Sequence, residues 1–441
     1  MCLSLFFRFI MYLSCLHPST RAAICLTTLM VSAGFRAPAA APTPSLSLPD
    51  VLQRVTDLNP ALSAERFRER AAAARIEQAN LRPNPTLDLS LENFVGTGAL
   101  RGIDGLEATV QANQLLERGN KREKRVALAS THHDITTRTF AVRQADILAA
   151  TAEAYLATLG AQQRVAFATE PLQLARRTLD AVEARLAAAV ASPAEVARAR
   201  AALATARSEA ALAEAALTRT RTALAALWGG TLDDVPTLTG NLQVPATLPA
   251  MQDFLARLPD HPRIDLAEAT VARGRASLEL AQAHAVQDIS ISGGVKFFRE
   301  GSDAALVAGV SVPLPIRNKN QGNIRAARES LSGAELTVTT VRVELRAAFN
   351  AAWQDLVAAH QQATAIRNEV LPPTQEAAAV VREAYDQGQL PLIDLLDAQR
   401  ALIDLQRQLL DTAAAYGLAL ARIDALTDSS FPSLVSLINR P

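Results

Sequence analysis

The chain has 441 residues, of which 49% are apolar, 20% charged and 4% aromatic, and its 44 basic and 44 acidic residues give a formal charge of zero. This balance offers no basic surface for nucleic acid, so no nucleic-acid partner is expected. So few aromatic side chains do not suit a thick globular core. Alanine-rich stretches such as 71–74 and 210–216 instead suit long helices packed closely side by side.

Residues 1–39 are predicted to be a secretory signal peptide. Arg21 precedes an apolar stretch at 22–33, and Ala37-Pro38-Ala39 follows as a small-residue cleavage site. A membrane anchor is the alternative, but the apolar stretch is much shorter than the roughly twenty residues that a spanning helix needs. All three cysteines lie in the first 25 residues, so the exported chain is expected to contain neither disulfides nor thiolate metal sites.

The rest of the chain contains the same plan twice, which indicates an architecture built by repetition. A first repeat spans 50–228 and a second spans 252–427, followed by a C-terminal tail at 428–441. Each repeat is predicted to hold a helical stretch, a strand pair, a very long helix and a closing helix. The two copies align with Glu195 over Asp394.

Four segments alternate apolar and polar residues over about ten positions, which is typical of outer-membrane barrel strands. They are 85–95, 106–116, 287–298 and 304–313. Four strands cannot close a barrel, and lipid does not tolerate open sheet edges, so other subunits must complete the wall. A dimer would give eight strands and a trimer twelve, and a channel with a lumen favours the trimer. The alternative is two ordinary hairpins that cap a soluble helical bundle.

Each strand pair leads into a long helix, predicted at about 120–189 in the first repeat and 320–388 in the second. At 1.5 Å per residue each would extend about 100 Å, far beyond what a globular domain needs. Pro171 and the pair Pro372-Pro373 stand at comparable places and are predicted to loosen or kink both helices at one height. The pattern predicts a long helical cylinder with strands at one end and tight turns at the other.

One run of residues identifies a family. The sequence YDQGQLPLIDLLDAQ at 385–399 resembles the periplasmic-tip signature of the TolC family of outer-membrane efflux channels, and the resemblance extends over 50–426. Segments 84–94 and 312–324 resemble the cation-efflux subgroup typified by CzcC. The resemblance implies a mainly α fold with a small β part, in which a trimeric periplasmic α-barrel continues into a twelve-strand outer-membrane β-barrel with four strands per chain.

The same resemblance implies a function and partners. The chain is expected to be the exit channel of a tripartite efflux system, anchored in outer-membrane lipid, that exports heavy-metal cations together with a periplasmic membrane-fusion adaptor and an inner-membrane pump of the resistance-nodulation-division class. Channels for drug efflux or type I protein secretion are the nearest alternatives. An exported coiled-coil scaffold is the alternative of another class.

No sequence motif points to an enzyme. His132-His133-Asp134 places neighbouring side chains about 100° apart on a helix, which prevents them from chelating one ion together. Neither an H-E-x-x-H spacing nor a G-x-S-x-G elbow occurs. We therefore predict no catalytic, cofactor or resident metal site.

The candidate site lies in the two tight turns. Asp394 and Asp397 are three residues apart, so they share a helix face, and the resemblance implies two stacked acidic rings at the pore constriction. The alternative is an ordinary solvated face. By the same resemblance Tyr385 supports the closed gate, with Glu195 and Arg198 at the positions of the first repeat that match Asp394 and Asp397.

The resemblance also implies that the turns contact the adaptor. The residues concerned are Ser192 and Pro193 in the first turn and Gly388, Gln389 and Pro391 in the second. The first turn has no glycine at the place of Gly388, so the two adaptor contacts are not expected to be identical.

Overall fold

The computed structural model describes residues 45–439, so the predicted signal peptide lies outside the described residues. The helices are α1 (Leu48–Leu58), α2 (Pro60–Ala79), α3 (Lys121–Ala187), α4 (Pro193–Ala226), α5 (Met251–Leu255), α6 (Pro262–Ala283), α7 (Gln321–Ala365), α8 (Leu371–Asp386), α9 (Leu392–Thr427) and α10 (Pro432–Ile438). The strands are β1 (Ser45–Leu46), β2 (Thr86–Glu92), β3 (Glu107–Leu116), β4 (Thr237–Leu238), β5 (Ile289–Phe298) and β6 (Asp303–Ser311).

The two long helices differ in continuity. α3 is one α-helix of 67 residues that passes through Pro171. Its counterpart is two helices, α7 and α8, joined by a π-helical turn at Ile366–Val370. The second long helix is thus interrupted next to Pro372 and Pro373, where a loosening was predicted, whereas α3 continues through Pro171. Because Pro372 and Pro373 stand in the first turn of α8, where the preceding π turn has already changed the hydrogen-bond ladder, their missing N–H groups are tolerated there.

The four longer strands form one antiparallel sheet in the order β2-β3-β5-β6. Its register places Leu89 opposite Val110, Val110 opposite Val295, and Val295 opposite Leu306. One apolar row thus crosses the whole sheet. Leu89 is 67% exposed and Leu306 is 88% exposed, so this face has no covering layer from its own protomer.

The opposite face of the sheet is polar and internally paired. Lys296 Nζ lies 2.8 Å from Glu92 Oε2 and also pairs with Glu107, so one cation joins carboxylates from two other strands. Asn113 donates to Asp88 across the β2–β3 pair. The sheet therefore has one apolar and one polar face, the division expected of a wall between lipid and water.

Helices pack alongside one another below the sheet, with α2 and α4 against α3 and α6 and α9 against α7. The largest core cluster lies around the middle of the long helices and includes Tyr155, Phe349 and Tyr416, all almost fully buried. Tyr155 donates from its hydroxyl to the carbonyl of Thr239 at 2.6 Å, which ties α3 to the loop after β4. No helix between residues 45 and 439 is both long and apolar enough to cross a membrane.

The predicted C-terminal tail is ordered over its described part and forms α10, which packs against α9. The Asp424 carboxylate on α9 accepts a hydrogen bond from the backbone N–H of Leu434 at 2.8 Å and so caps the first turn of α10. Leu434 itself is fully buried. The described part of the tail therefore packs into the hydrophobic core.

Candidate pore constriction

The two tip turns have the same backbone geometry although their residues differ. Gly388 ends the α8 turn with φ +77°, and Ala189 occupies the matching place after α3 with φ +58°. The next residue of each turn donates back to the helix, from Gln389 N to Ala384 O at 2.8 Å and from Val190 N to Arg185 O at 2.9 Å. Both turns are Schellman motifs. The absence of glycine in the first turn therefore does not change its backbone.

Glu195 and Asp394, which align between the two repeats, differ in whether they cap their helix. Glu195 closes a capping box in α4, because the Ser192 N–H donates to Glu195 Oε2 at 2.7 Å and the Glu195 N–H donates to the Ser192 hydroxyl at 3.3 Å. The second turn has Pro391 at the place of Ser192 and makes no side-chain cap. Asp394, the counterpart of Glu195, is consequently not engaged in capping.

Asp394 and Asp397 lie in the first turns of α9, on one side of the helix. Asp394 is half-buried and Asp397 is exposed, whereas the neighbouring Leu392 and Leu395 are buried in the tip core. Neither carboxylate forms an ion pair or a side-chain hydrogen bond with any residue in the range 45–439. The N-terminus of α9 favours negative charge through the helix dipole. Both carboxylates are thus free to act on a solute or on another subunit.

Tyr385 is buried in the tip core with Val182, Val196 and Leu395. The Arg185 guanidinium lies 4.8 Å from the centre of the Tyr385 ring and donates to the Tyr385 carbonyl at 3.3 Å. Burial raises the pKa of the Tyr385 hydroxyl, and the nearby Arg185 opposes this shift. This pair joins the end of α3 to the end of α8.

The remaining predicted tip residues are exposed on the surface of the turns, except Glu195, which the capping box holds. Arg198 is exposed and has no carboxylate partner within the described part of the chain. The neighbouring Arg200 instead binds Glu183 at 2.8 Å and links α4 to α3. Ser192, Pro193, Gly388, Gln389 and Pro391 form the exposed ends of the two hairpins.

Sequence reasoning missed Arg185 and the capping box. The S-x-x-E pattern at Ser192 was a usable signal, since it marks a helix N-terminus. Arg185 carries no such signal, because its partner Tyr385 is 200 residues away. Among residues 45–439 no three His, Cys, Asp or Glu side chains come together in a group that suits a metal ion.

Several known proteins are similar to this chain over most of its length. The chain is 29% identical over 327 residues to the cobalt-zinc-cadmium resistance protein CzcC of Cupriavidus metallidurans, covering 74% of this chain and 77% of that protein. It is 27% identical over 385 residues to the nickel-cobalt-cadmium resistance protein NccC of Alcaligenes xylosoxydans xylosoxydans, covering 87% and 86%.

Solved structures share the fold. The crystal structure of CusC superposes with a TM-score of 0.70 at 18% identity, covering 87% of this chain and 92% of that one. The outer membrane protein VceC from Vibrio cholerae gives 0.69 at 18% identity, with 86% and 96% covered. The family of outer membrane efflux proteins matches residues 51–230 and 256–428, and the chain belongs to that family.

Proposed function

We propose that this protein is the outer-membrane exit channel of a tripartite efflux system for heavy-metal cations, working as a homotrimer with a periplasmic adaptor and an inner-membrane pump of the resistance-nodulation-division class. The named resistance proteins to which it is similar support the choice of metal cations. The chain acts as a duct and performs no chemical reaction on its cargo. Family membership disfavours the alternative of a scaffold that never enters a membrane.

The four-stranded sheet is the main observation that supports this proposal. It is apolar on one face from edge to edge, and β2 and β6 have no partner on their outer sides within the described chain. Unpaired backbone N–H and C=O groups are not tolerated in lipid. Three copies joined from β6 to β2 satisfy every edge and give a closed wall of about twelve strands, wide enough to leave a lumen. The helices then continue that wall as a periplasmic duct.

The narrow end of the duct supplies a preference for cations, while selection among metals lies mainly with the pump and adaptor. Three copies of Asp394 and Asp397 would place six carboxylates around one axis, which attracts divalent cations and repels anions. The attraction acts at the entrance, where metal ions arrive from the pump and adaptor. Neither carboxylate has an ion-pair partner among the described residues of its own protomer, so this charge is not neutralised within one subunit.

The exposed hairpin ends supply the contact with the adaptor. We assign Ser192 and Pro193 to one contact and Gly388, Gln389 and Pro391 to the other. The Arg185–Tyr385 pair holds the two hairpins of one protomer together and thereby supports the closed tip. Glu195 contributes by fixing the start of α4, and Arg198 is available to a neighbouring subunit.

Planar-bilayer recording of the purified protein tests the gate. The double variant D394A/D397A should show higher conductance, weaker cation preference and no block by divalent or trivalent cations. The matched control is E383A/D386A, which removes two exposed carboxylates with the same spacing from α8. If the α9 variant keeps wild-type conductance, selectivity and block, or if the control changes them equally, the ring assignment is wrong.

A cellular assay tests the cargo. The protein, expressed with its pump and adaptor in a strain that lacks its own exit channels, should restore growth on cobalt, zinc, cadmium or nickel salts. Restoration of drug tolerance without metal tolerance would favour the drug-efflux alternative.

A further inference from the structure

Below the apolar face of the sheet lies a ring of cations with few counter-charges. Nine lysine and arginine residues lie in the ranges 81–85, 117–125, 284–288 and 312–325, which join strands to helices and include the first turns of α3 and α7. Three are paired, in Lys121–Asp288, Lys124–Glu279 and Arg125–Glu117. The other six have no carboxylate partner in the described chain, and we call them the basic collar: Arg82, Arg118, Arg122, Arg317, Lys319 and Arg325. Glu123 is the one unpaired carboxylate in these segments.

The basic collar adjoins exposed apolar side chains. After β6 the even-numbered parity of the apolar face continues through Leu314 and Ile316, which are 75% and 80% exposed, and Arg317 and Lys319 follow directly. Before β2, Leu81 is 58% exposed and Arg82 follows it. In the first repeat Leu81 stands beside Arg82, on its helix side. In the second repeat the aliphatic residues lie on the sheet side and the cations on the helix side. This is the amphipathic order of a surface at a membrane boundary.

The depth of the collar agrees with this position. Arg118 lies eight residues beyond Val110, the middle of the apolar row on β3. Eight strand residues at a tilt of about 40° rise about 20 Å along the membrane normal, and half of an apolar band of about 25 Å is about 12 Å. Arg118 therefore falls several ångströms outside the hydrocarbon, at the level of lipid headgroups on the periplasmic side.

Closure of the sheet concentrates the cations further. Joining β6 of one protomer to β2 of the next places the segment after β6, with Arg317 and Lys319, beside the segment before β2, with Arg82. These are like charges at the same end of antiparallel strands. On the side of Arg82 the surface contains a cavity of about 450 Å³, whose charged lining is Arg82, Arg118, Arg122, Lys121, Glu117 and Glu123. Lys121 and Glu117 are already paired, and the three unpaired arginines outnumber the one unpaired carboxylate, Glu123, so the net charge facing the cavity is positive.

We propose that each seam between protomers binds the phosphate headgroup of an anionic phospholipid from the periplasmic leaflet. The arginines bind the phosphate oxygens, and the acyl chains lie along Leu314 and Ile316. This inference rests on the proposed barrel. It assigns to the lipid a role in joining the subunits, because the phosphate neutralises cations that two neighbouring protomers bring together.

Native mass spectrometry of the purified trimer tests the proposal, with phosphatidylglycerol and phosphatidylcholine of identical acyl chains as probes. We expect phosphatidylglycerol to bind at least tenfold more tightly, since each cation near a membrane surface strengthens anionic lipid binding by about fivefold. The preference should weaken between about 50 and 500 mM salt. The variant R82Q/R317Q/K319Q should lose the preference. The control R207Q/R219Q/R382Q, which removes three exposed and unpaired cations far from the sheet, should retain it.

The outcomes separate the possible failures. Equal binding of the two lipids by an intact trimer, or equal loss in the control variant, overturns the headgroup site while leaving the channel intact. Displacement of phosphatidylglycerol by inorganic phosphate at millimolar concentration overturns it in favour of a free-anion site. A protein that retains neither lipid and dissolves without detergent overturns the proposed membrane location itself. If the triple variant does not assemble, the salt and phosphate series on the wild-type protein still decide whether the headgroup site exists.

Discussion

The tip turns offer a matched pair of substitutions. Ala189 adopts φ +58° and Gly388 adopts φ +77°, a region that costs a non-glycine residue about 1–2 kcal/mol. Glycine loses part of this advantage, about 0.4–1 kcal/mol, through the greater freedom of its unfolded chain. Ala189→Gly should therefore stabilise the first turn by about 0.5–1 kcal/mol, and Gly388→Ala should destabilise the second by a similar amount. A Cβ added at Gly388 meets no atom within 4 Å, so this cost is conformational and not steric.

Amide hydrogen exchange measures the effect where it occurs. The protected amides are those of Val190 and Gln389, which close the two Schellman motifs. A change of 0.5–1 kcal/mol corresponds to about two- to fivefold in the opening equilibrium. Exchange at Val190 should slow in Ala189→Gly, and exchange at Gln389 should quicken in Gly388→Ala. If both substitutions shift exchange in the same direction, or if Ala189→Gly loosens its turn, the reasoning from backbone strain is refuted.

Three further predictions concern the sheet, the tail and the caps. Leu89→Arg should cost about 2–4 kcal/mol in a membrane-assembly assay because it places a charge on the lipid face, whereas Ser90→Arg should be tolerated, and equal tolerance would contradict the assignment of faces. Burial raises the pKa of Asp424 to about 6, so the folded state favours the protonated acid. The free energy of unfolding should therefore fall by up to about 3 kcal/mol as pH rises from about 4 to about 6. Asp424→Asn should remove this dependence in unfolding titrations at the two pH values. Glu195→Ala should destabilise the first turn of its helix by about 0.5–1 kcal/mol, measured by exchange of the amides there. Asp394→Ala should have a smaller effect on the corresponding turn, because it loses the helix-dipole interaction but no capping hydrogen bond.

The sequence was sufficient for features that repeat locally. Alternation around Leu89 and Leu306 predicted a sheet with one apolar face, and alanine-rich runs with few prolines predicted very long helices, because both patterns depend on neighbouring residues alone. Family membership, fold class and outer-membrane function were confirmed by comparison. The roles of Asp394 and Asp397 stay predictions.

Features that depend on contacts with other helices could not be predicted from local sequence patterns. The π turn at Ile366–Val370 has no counterpart at Pro171, although prolines stand near both places. The burial of Asp424 depends on the return of the last helix onto α9, ten residues later in the chain. Arg185 meets its aromatic partner only after two repeats have folded together. In each case the outcome is decided by tertiary packing, which local pattern does not contain.

The open edges of the sheet have a genetic consequence. One chain supplies a third of the proposed wall, so a functional duct exists only as an assembly of three sound copies. A substitution on β6 that blocks pairing with β2 of the next subunit would disable every trimer that incorporates it. With equal expression and random mixing, about one trimer in eight would consist of wild-type chains alone. Such alleles should therefore be dominant over the wild type, whereas alleles that prevent the chain from folding should be recessive.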